Sequence, residues 1–129
     1  MGSSNQTLKR KLWELFSKYI RERDNWTCIS CGKKCEGIDC HAGHYHPRTD
    51  GLNLFFDEKN VNAQCSACNT FRHGNLTQYA LGLKKKYGDQ ILEELDEKRK
   101  HLIQIYDNEY LKLIETYKIK IEELKKEPC

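Results

Sequence analysis

Apolar positions recur every three or four residues along the first part of the chain. Leu8, Leu12, Leu15, Phe16, Tyr19 and Ile20 fall on one face of residues 7–23, with Lys and Arg between them. That spacing predicts an amphipathic helix. Thr7 suits its N-cap, and Asp24-Asn25 ends the run. Residues 26–68 follow another pattern. They are rich in Cys, Gly, His and Asn, with short β-like pieces around residues 43–45 and 52–56, where we expect brief strands. A second helix is expected to start near Ala67-Cys68 and to stop at the C-cap position of Gly74.

From Leu76 onward Leu, Ile, Tyr, Lys and Glu dominate, Gly88 is the last glycine, and no proline occurs before Pro128. Asp89 suits a helix cap. Ile103, Tyr106, Tyr110, Leu113, Tyr117 and Leu124 keep a 3–4 spacing, which Lys120 interrupts. One helix over residues 89–127 would be about 57 Å long at roughly 1.5 Å per residue. Its stripe must be buried, either against the first helix or against a second copy of the chain.

Cysteine spacing changes the picture most. Cys28-x-x-Cys31 and Cys65-x-x-Cys68 are two thiolate pairs separated by 33 residues. Each C-x-x-C turn brings two sulfurs to one side of a tight bend, and two such turns complete a four-cysteine site suited to structural zinc. Cys35 and Cys40 are left over, either as small buried residues or as substitutes for one of the four, and Cys129 is expected to be free. The start of the chain is polar and lacks a signal-peptide core, and no apolar run approaches the roughly 20 residues of a membrane span. In a reducing compartment these cysteines point to metal rather than to disulfides. The fold expected is therefore α+β: residues 1–6 a flexible start, residues 7–76 a helix plus a small zinc-stapled core, and residues 77–129 a helical region able to pair with a second copy.

Charge adds less. Net charge is +3, with 32% charged residues. The excess lies wholly in residues 1–76, with 11 Lys and Arg against 8 Asp and Glu; residues 77–129 hold 11 of each. A weak basic bias around the cysteines is compatible with phosphate contacts.

Between the knuckles run His41-Ala42-Gly43-His44-Tyr45-His46-Pro47-Arg48 and Asn60-Val61-Asn62-Ala63-Gln64-Cys65, with Asn69 directly after Cys68. A histidine on a strand can take a proton from water near neutral pH. An asparagine in a loop can lock backbone carbonyls, and a helix-borne oxygen suits Mg²⁺ or Mn²⁺, which keep several waters. A histidine, a loop asparagine and a helix ligand in this order resemble the HNH, or ββα-metal, site. The bland alternative makes His41, His44 and His46 surface residues or zinc ligands. Arg48 and Arg72 are candidate phosphate contacts, and the Lys84-Lys85-Lys86 run either tracks a DNA backbone or is a solvated face.

With Phe16-Ser17-Lys18-Tyr19-Ile20-Arg21, Ala42-Gly43-His44-Tyr45 and Gly74-Asn75-Leu76 added, the chain resembles the bacteriophage NinG/Rap recombination nucleases over roughly residues 8–95. The resemblance implies a metal-dependent endonuclease acting on branched DNA such as Holliday junctions and D-loops, in the cytoplasm of a phage-infected or prophage-carrying bacterium. By it, His44 matches the general base, Asn60 the central asparagine and Asn69 the metal ligand. It implies structural Zn²⁺ at Cys28, Cys31, Cys65 and Cys68 and catalytic Mg²⁺ or Mn²⁺ at Asn69. A two-fold junction would suit a homodimer. One departure stands out: many HNH enzymes carry a ligand directly before the base, where this chain has Gly43. His41 or His46 could swing in, His73 could join Asn69 one helical turn on, or Asn69 could act alone. The competing readings are a zinc-dependent DNA-binding module without catalysis and an HNH nicking enzyme without branch preference.

Overall fold

The computed structural model describes residues 2–126, with the side chains of residues 2–4 and Phe71 left aside; Cys129 lies outside the described residues. Five helices and one two-stranded sheet follow in the order α1 (Gly2–Arg23), β1 (Cys40–His44), α2 (Leu52–Phe55), β2 (Val61–Cys65), α3 (Leu76–Tyr87), α4 (Ile91–Arg99) and α5 (Asp107–Lys126). The expected α+β class holds. Helix α1 starts five residues before Thr7 because nothing in Gly2-Ser3-Ser4-Asn5-Gln6 breaks a helix, and Asn5 Nδ2 donates to Asp107 Oδ1 at 3.0 Å.

Strands β1 and β2 pair antiparallel, with His41 opposite Gln64, Gly43 opposite Asn62 and His44 opposite Val61. The piece at residues 52–56 is not a strand. Gly51, at φ 116°, turns the chain into the short helix α2, whose Leu54 and Phe55 are both buried. The free edge of β2 is sealed by side chains from the end of α1. Asp24 accepts from the Ala63 amide at 2.8 Å, and Arg23 donates to the carbonyls of Val61 at 3.2 Å and Glu58 at 2.8 Å.

The long C-terminal helix is broken. No glycine or proline lies in residues 100–106; the stop comes from another element, because Asn53 of α2 donates to the carbonyls of Lys98 and His101. Once past the break, α5 lies along α1 in the same direction, with Asn5 at Asp107 and Tyr19 at Tyr117. Tyr110, Ile114, Tyr117 and Ile121 are buried, and the first three join Leu12, Phe16, Ile20 and Val61 in one core. Of the expected stripe Tyr110 and Tyr117 are buried, Leu113 and Leu124 are half-buried, and Ile103 and Tyr106, in the break before α5, are exposed; Ile114 and Ile121 complete the buried face. Lys120, which interrupts it, reaches Glu58 Oε2 at 2.7 Å. A second core joins Leu54, Tyr79, Leu83, Ile91 and Leu95. Helix α3 sits so close to the first knuckle that a Cβ on Gly82 would lie 2.3 Å from the Ile29 carbonyl oxygen.

Candidate metal centre and catalytic cleft

The two C-x-x-C turns meet. The sulfurs of Cys28, Cys31, Cys65 and Cys68 all lie within 4.8 Å of one another, and those of Cys31 and Cys65 are 3.8 Å apart. Sulfurs tetrahedrally placed around zinc at about 2.3 Å would be about 3.8 Å apart, so the cluster has the size to hold a metal ion such as zinc. The donors fit it chemically as well. The Cys31 amide points at Cys28 Sγ at 3.4 Å and Asn75 Nδ2 at Cys68 Sγ at 3.5 Å. Burial raises the Cys28 thiol pKa, but backbone N–H groups of Cys65, Cys31 and Ser30 outweigh it and hold the group below its ordinary value. Burial, helped by the neighbouring sulfurs, pushes Cys68 up to about 12. Four thiols this close resist full ionisation until a cation joins them, which a divalent metal supplies. Cys35 and Cys40 replace none of the four. Their sulfurs face each other across the bend between residues 35 and 40, with Cα atoms 5.0 Å apart, beside Ala63 and at a spacing that would allow a disulfide.

His44 ends β1. Its ring stacks on Trp13 of α1 with centroids 5.1 Å apart at 19°, and Phe55 flanks it at 5.0 Å. Nε2 lies 3.0 Å from the Phe55 carbonyl oxygen. A carbonyl only accepts, so Nε2 carries the proton and Nδ1 keeps its lone pair. Burial lowers the pKa of His44 to about 4, with a further push from the Arg48 guanidinium. The imidazole is therefore neutral at neutral pH.

Asn60 fixes the backbone next to the carbonyl on which His44 leans. It is fully buried. Its Nδ2 donates to the carbonyls of Leu54 at 2.9 Å and His46 at 3.1 Å, while its Oδ1 accepts from the His46 amide at 2.9 Å. One side chain thus ties the end of β1 to α2. Tyr79, also fully buried, donates from its hydroxyl to the Gly43 carbonyl at 2.6 Å and receives Asn62 Nδ2 at 3.3 Å. Its position in an amphipathic helix reads as ordinary core, so only the fold reveals this role.

Asn69 lies in a five-residue π-helical turn, Ala67–Phe71, rather than the longer helix expected. Its Nδ2 faces His41 Nδ1 at 2.9 Å. The two share an open cleft of about 370 Å³ with Trp13, Arg21 and Arg48. His41 is thus brought to Asn69. His73 is not: the turn ends at Phe71, and His73 is exposed in left-handed conformation at φ 50°, so the one-turn relation to Asn69 does not form. His46 turns toward Asp50, Nδ1 to Oδ2 at 3.5 Å. Arg48 lies over the Trp13 and Phe55 rings at 5.5 and 5.7 Å, at the rim beside His44. Arg72 is exposed beyond the π-helical turn. In the lysine run, Lys86 is bound to Asp24 and Asn62 at 2.7 Å each, and Lys84 and Lys85 are exposed.

Residues 3–127 match the family model described as Bacteriophage Lambda NinG protein. Protein ninG of Escherichia phage 933W is 38% identical over 79 residues, covering 60% of this chain and 39% of its own length. The proteins of the same name from Salmonella phage P22 and Escherichia phage lambda are each 37% identical, over 83 and 79 residues, covering 64% and 60% of this chain and 40% and 38% of their own. The match thus spans about two fifths of the length of these curated relatives. No solved structure matches the chain at a significant level. No helix among the described residues is long and apolar enough to cross a membrane.

Proposed function

We propose that this chain, which belongs to the NinG family, is a zinc-stapled HNH endonuclease that hydrolyses DNA phosphodiesters with a divalent metal. The observation that carries the reading is the linkage from Asn60 to His44. Asn60 clamps Leu54 and His46 across the loop, and the neighbouring Phe55 carbonyl takes Nε2–H, which leaves Nδ1 basic. A zinc-dependent DNA-binding module without catalysis has no use for that arrangement.

In this reading His44 Nδ1 takes a proton from a water molecule, whose oxygen forms a bond to phosphorus. The bond from phosphorus to the 3′ oxygen breaks, and that oxygen takes its proton from solvent. Asn69 Oδ1, at the cleft, would hold Mg²⁺ or Mn²⁺. When bound, the metal supplies charge neutralisation at the scissile phosphate and the leaving oxygen. Arg48 at the rim is assigned to a phosphate, and exposed Arg72 to a phosphate further along the strand. Zn²⁺ at Cys28, Cys31, Cys65 and Cys68 serves the fold.

Branched recombination intermediates are the proposed substrate, acted on inside the host cell, on the ground of family resemblance. Pairing of two copies is proposed from the two-fold symmetry of such DNA alone, since the α5 stripe is used within the chain. The test is cleavage of a supercoiled plasmid and of a four-way junction with Mg²⁺ or Mn²⁺. Wild type is expected to cut both and to prefer the junction. His44→Ala is expected to lose about 10²–10⁴-fold in rate with DNA affinity retained. A His44→Ala variant cutting at the wild-type rate rejects the assignment, and equal cutting of both DNAs rejects branch selectivity alone.

A further inference from the structure

Position 43 raises a question that the nuclease reading leaves open. A glycine stands directly before His44, where a metal-binding side chain would be expected. The space such a side chain would fill is occupied. A Cβ built on Gly43 would lie 2.0 Å from Gln64 Oε1 and 2.9 Å from Asn69 Oδ1. Two amide oxygens from two different elements thus approach Gly43 from the same side.

Gln64 is fully buried, and its Oε1 has no hydrogen-bond partner. Its orientation is fixed from the other end. Nε2 donates to the Gly74 carbonyl at 2.6 Å and lies 2.9 Å from Ser30 Oγ. Because a carbonyl cannot donate, the amide cannot turn over without losing that bond, and Oε1 is held pointing at position 43. Asn69 is arranged alike, with Nδ2 against His41 and Oδ1 toward Gly43. A buried acceptor without a donor is costly to a fold. A cation beside Gln64 Oε1 would remove that cost.

We infer that Gln64 Oε1 is a ligand of the catalytic divalent metal, standing in from β2 for the side chain missing at Gly43 and acting with Asn69 Oδ1. The ion class is a hard cation such as Mg²⁺ or Mn²⁺, which accepts neutral amide oxygens and completes its shell with water. The inference rests on the metal-dependent nuclease reading. It also explains the glycine: with Gln64 supplying the oxygen, any side chain at position 43 would collide with it.

Mn²⁺ binding to the zinc-loaded protein, read by electron paramagnetic resonance of free Mn²⁺, tests this without relying on cleavage. Zinc content and circular dichroism serve as controls for folding. Gln64→Met keeps the volume and removes the oxygen; it is expected to weaken Mn²⁺ at least about tenfold, since even loss of an outer-shell partner costs about 10–100-fold. Gln64→Glu places a carboxylate at the same point and is expected to tighten Mn²⁺, an effect a purely structural glutamine would not produce. Gly43→Asp combined with Gln64→Ala is expected to bind Mn²⁺ again, because the shortened side chain leaves room for the aspartate. If Asn69→Ala loses Mn²⁺ while Gln64→Met binds it as wild type does, the glutamine is structural and the inference is wrong, with the nuclease reading intact. If wild type binds no Mn²⁺ at this site and cuts no DNA, both fall together.

Discussion

The two halves of this small protein are held together by different physics. Where α1 meets α5 the interior is aromatic and aliphatic: Phe16 and Tyr117 pack edge to face at 5.1 Å, and Leu12, Ile20, Tyr110 and Ile114 fill the space around them. In the segment between the knuckles the most deeply buried side chains include Asn60, Asn62 and Gln64. An apolar interior depends on volume and tolerates small changes of shape. A polar interior depends on every donor meeting its acceptor, and a single missing partner leaves a buried group unsatisfied. Stability that tolerates change sits in the helices, and positional accuracy sits between the cysteines, where the candidate chemistry is.

The widest separation between the halves should come from removing metal. Chelation, or Cys28→Ser, is expected to melt residues 26–75 in zinc-free protein, because structural zinc contributes on the order of 10 kcal/mol to such centres. Hydrogen exchange should show the α1–α5 pair protected after the centre has opened. Loss of both halves together would show that the helical core cannot stand alone.

Asn60 offers the next test. Asn60→Leu keeps the volume but abandons the His46 amide and two carbonyls, at a cost of about 3 kcal/mol or more. Denaturant unfolding measures it, and cleavage should fall with it. A cost under about 1 kcal/mol would mean that the loop is held by something else.

Acidity separates the halves in a third way. The folded-state pKa of His44 is about 4, below the ordinary 6.5. Between those values the unfolded chain takes up a proton that the folded chain refuses. The His44 contribution to stability is therefore complete above about pH 6.5, is lost as pH falls toward 4, and amounts to at most about 3 kcal/mol. The DNA-free protein should lose this much across that window, and His44→Phe should flatten the curve. The acid limb of cleavage should likewise lie near pH 4–5, not at the ordinary histidine value.

The smallest effect is expected in the helices. Ile114→Val should cost about 1 kcal/mol and leave cleavage unchanged. A drop in rate from this change would show that the two halves are coupled more tightly than their packing suggests.

Much of the centre was legible in the sequence because its signals are local. The spacing of Cys28, Cys31, Cys65 and Cys68 announced a cluster that could hold a metal, and motif order nominated His44, Asn60 and Asn69 as candidates. What could not be read depends on elements distant in sequence. The α4–α5 break carries no glycine or proline; Asn53 imposes it from 45 residues away. The strand expected over residues 52–56 became a helical turn because Gly51 takes a conformation that no periodicity reports. Gln64 looks like any polar residue before a cysteine until the strand register sets it opposite His41, two residue pairs from Gly43 and on the same face.

The parallel pairing of α1 with α5 also has a consequence in time. Asn5 and Asp107 are 102 residues apart in sequence, and closing so long a loop is entropically slow compared with forming the knuckles. During synthesis the apolar face of α1 must wait, uncovered, until almost the whole of the described chain has followed it, whereas the cysteines can gather zinc as soon as Cys68 has emerged. The centre can thus be in place before the helix that leads into it has found its partner.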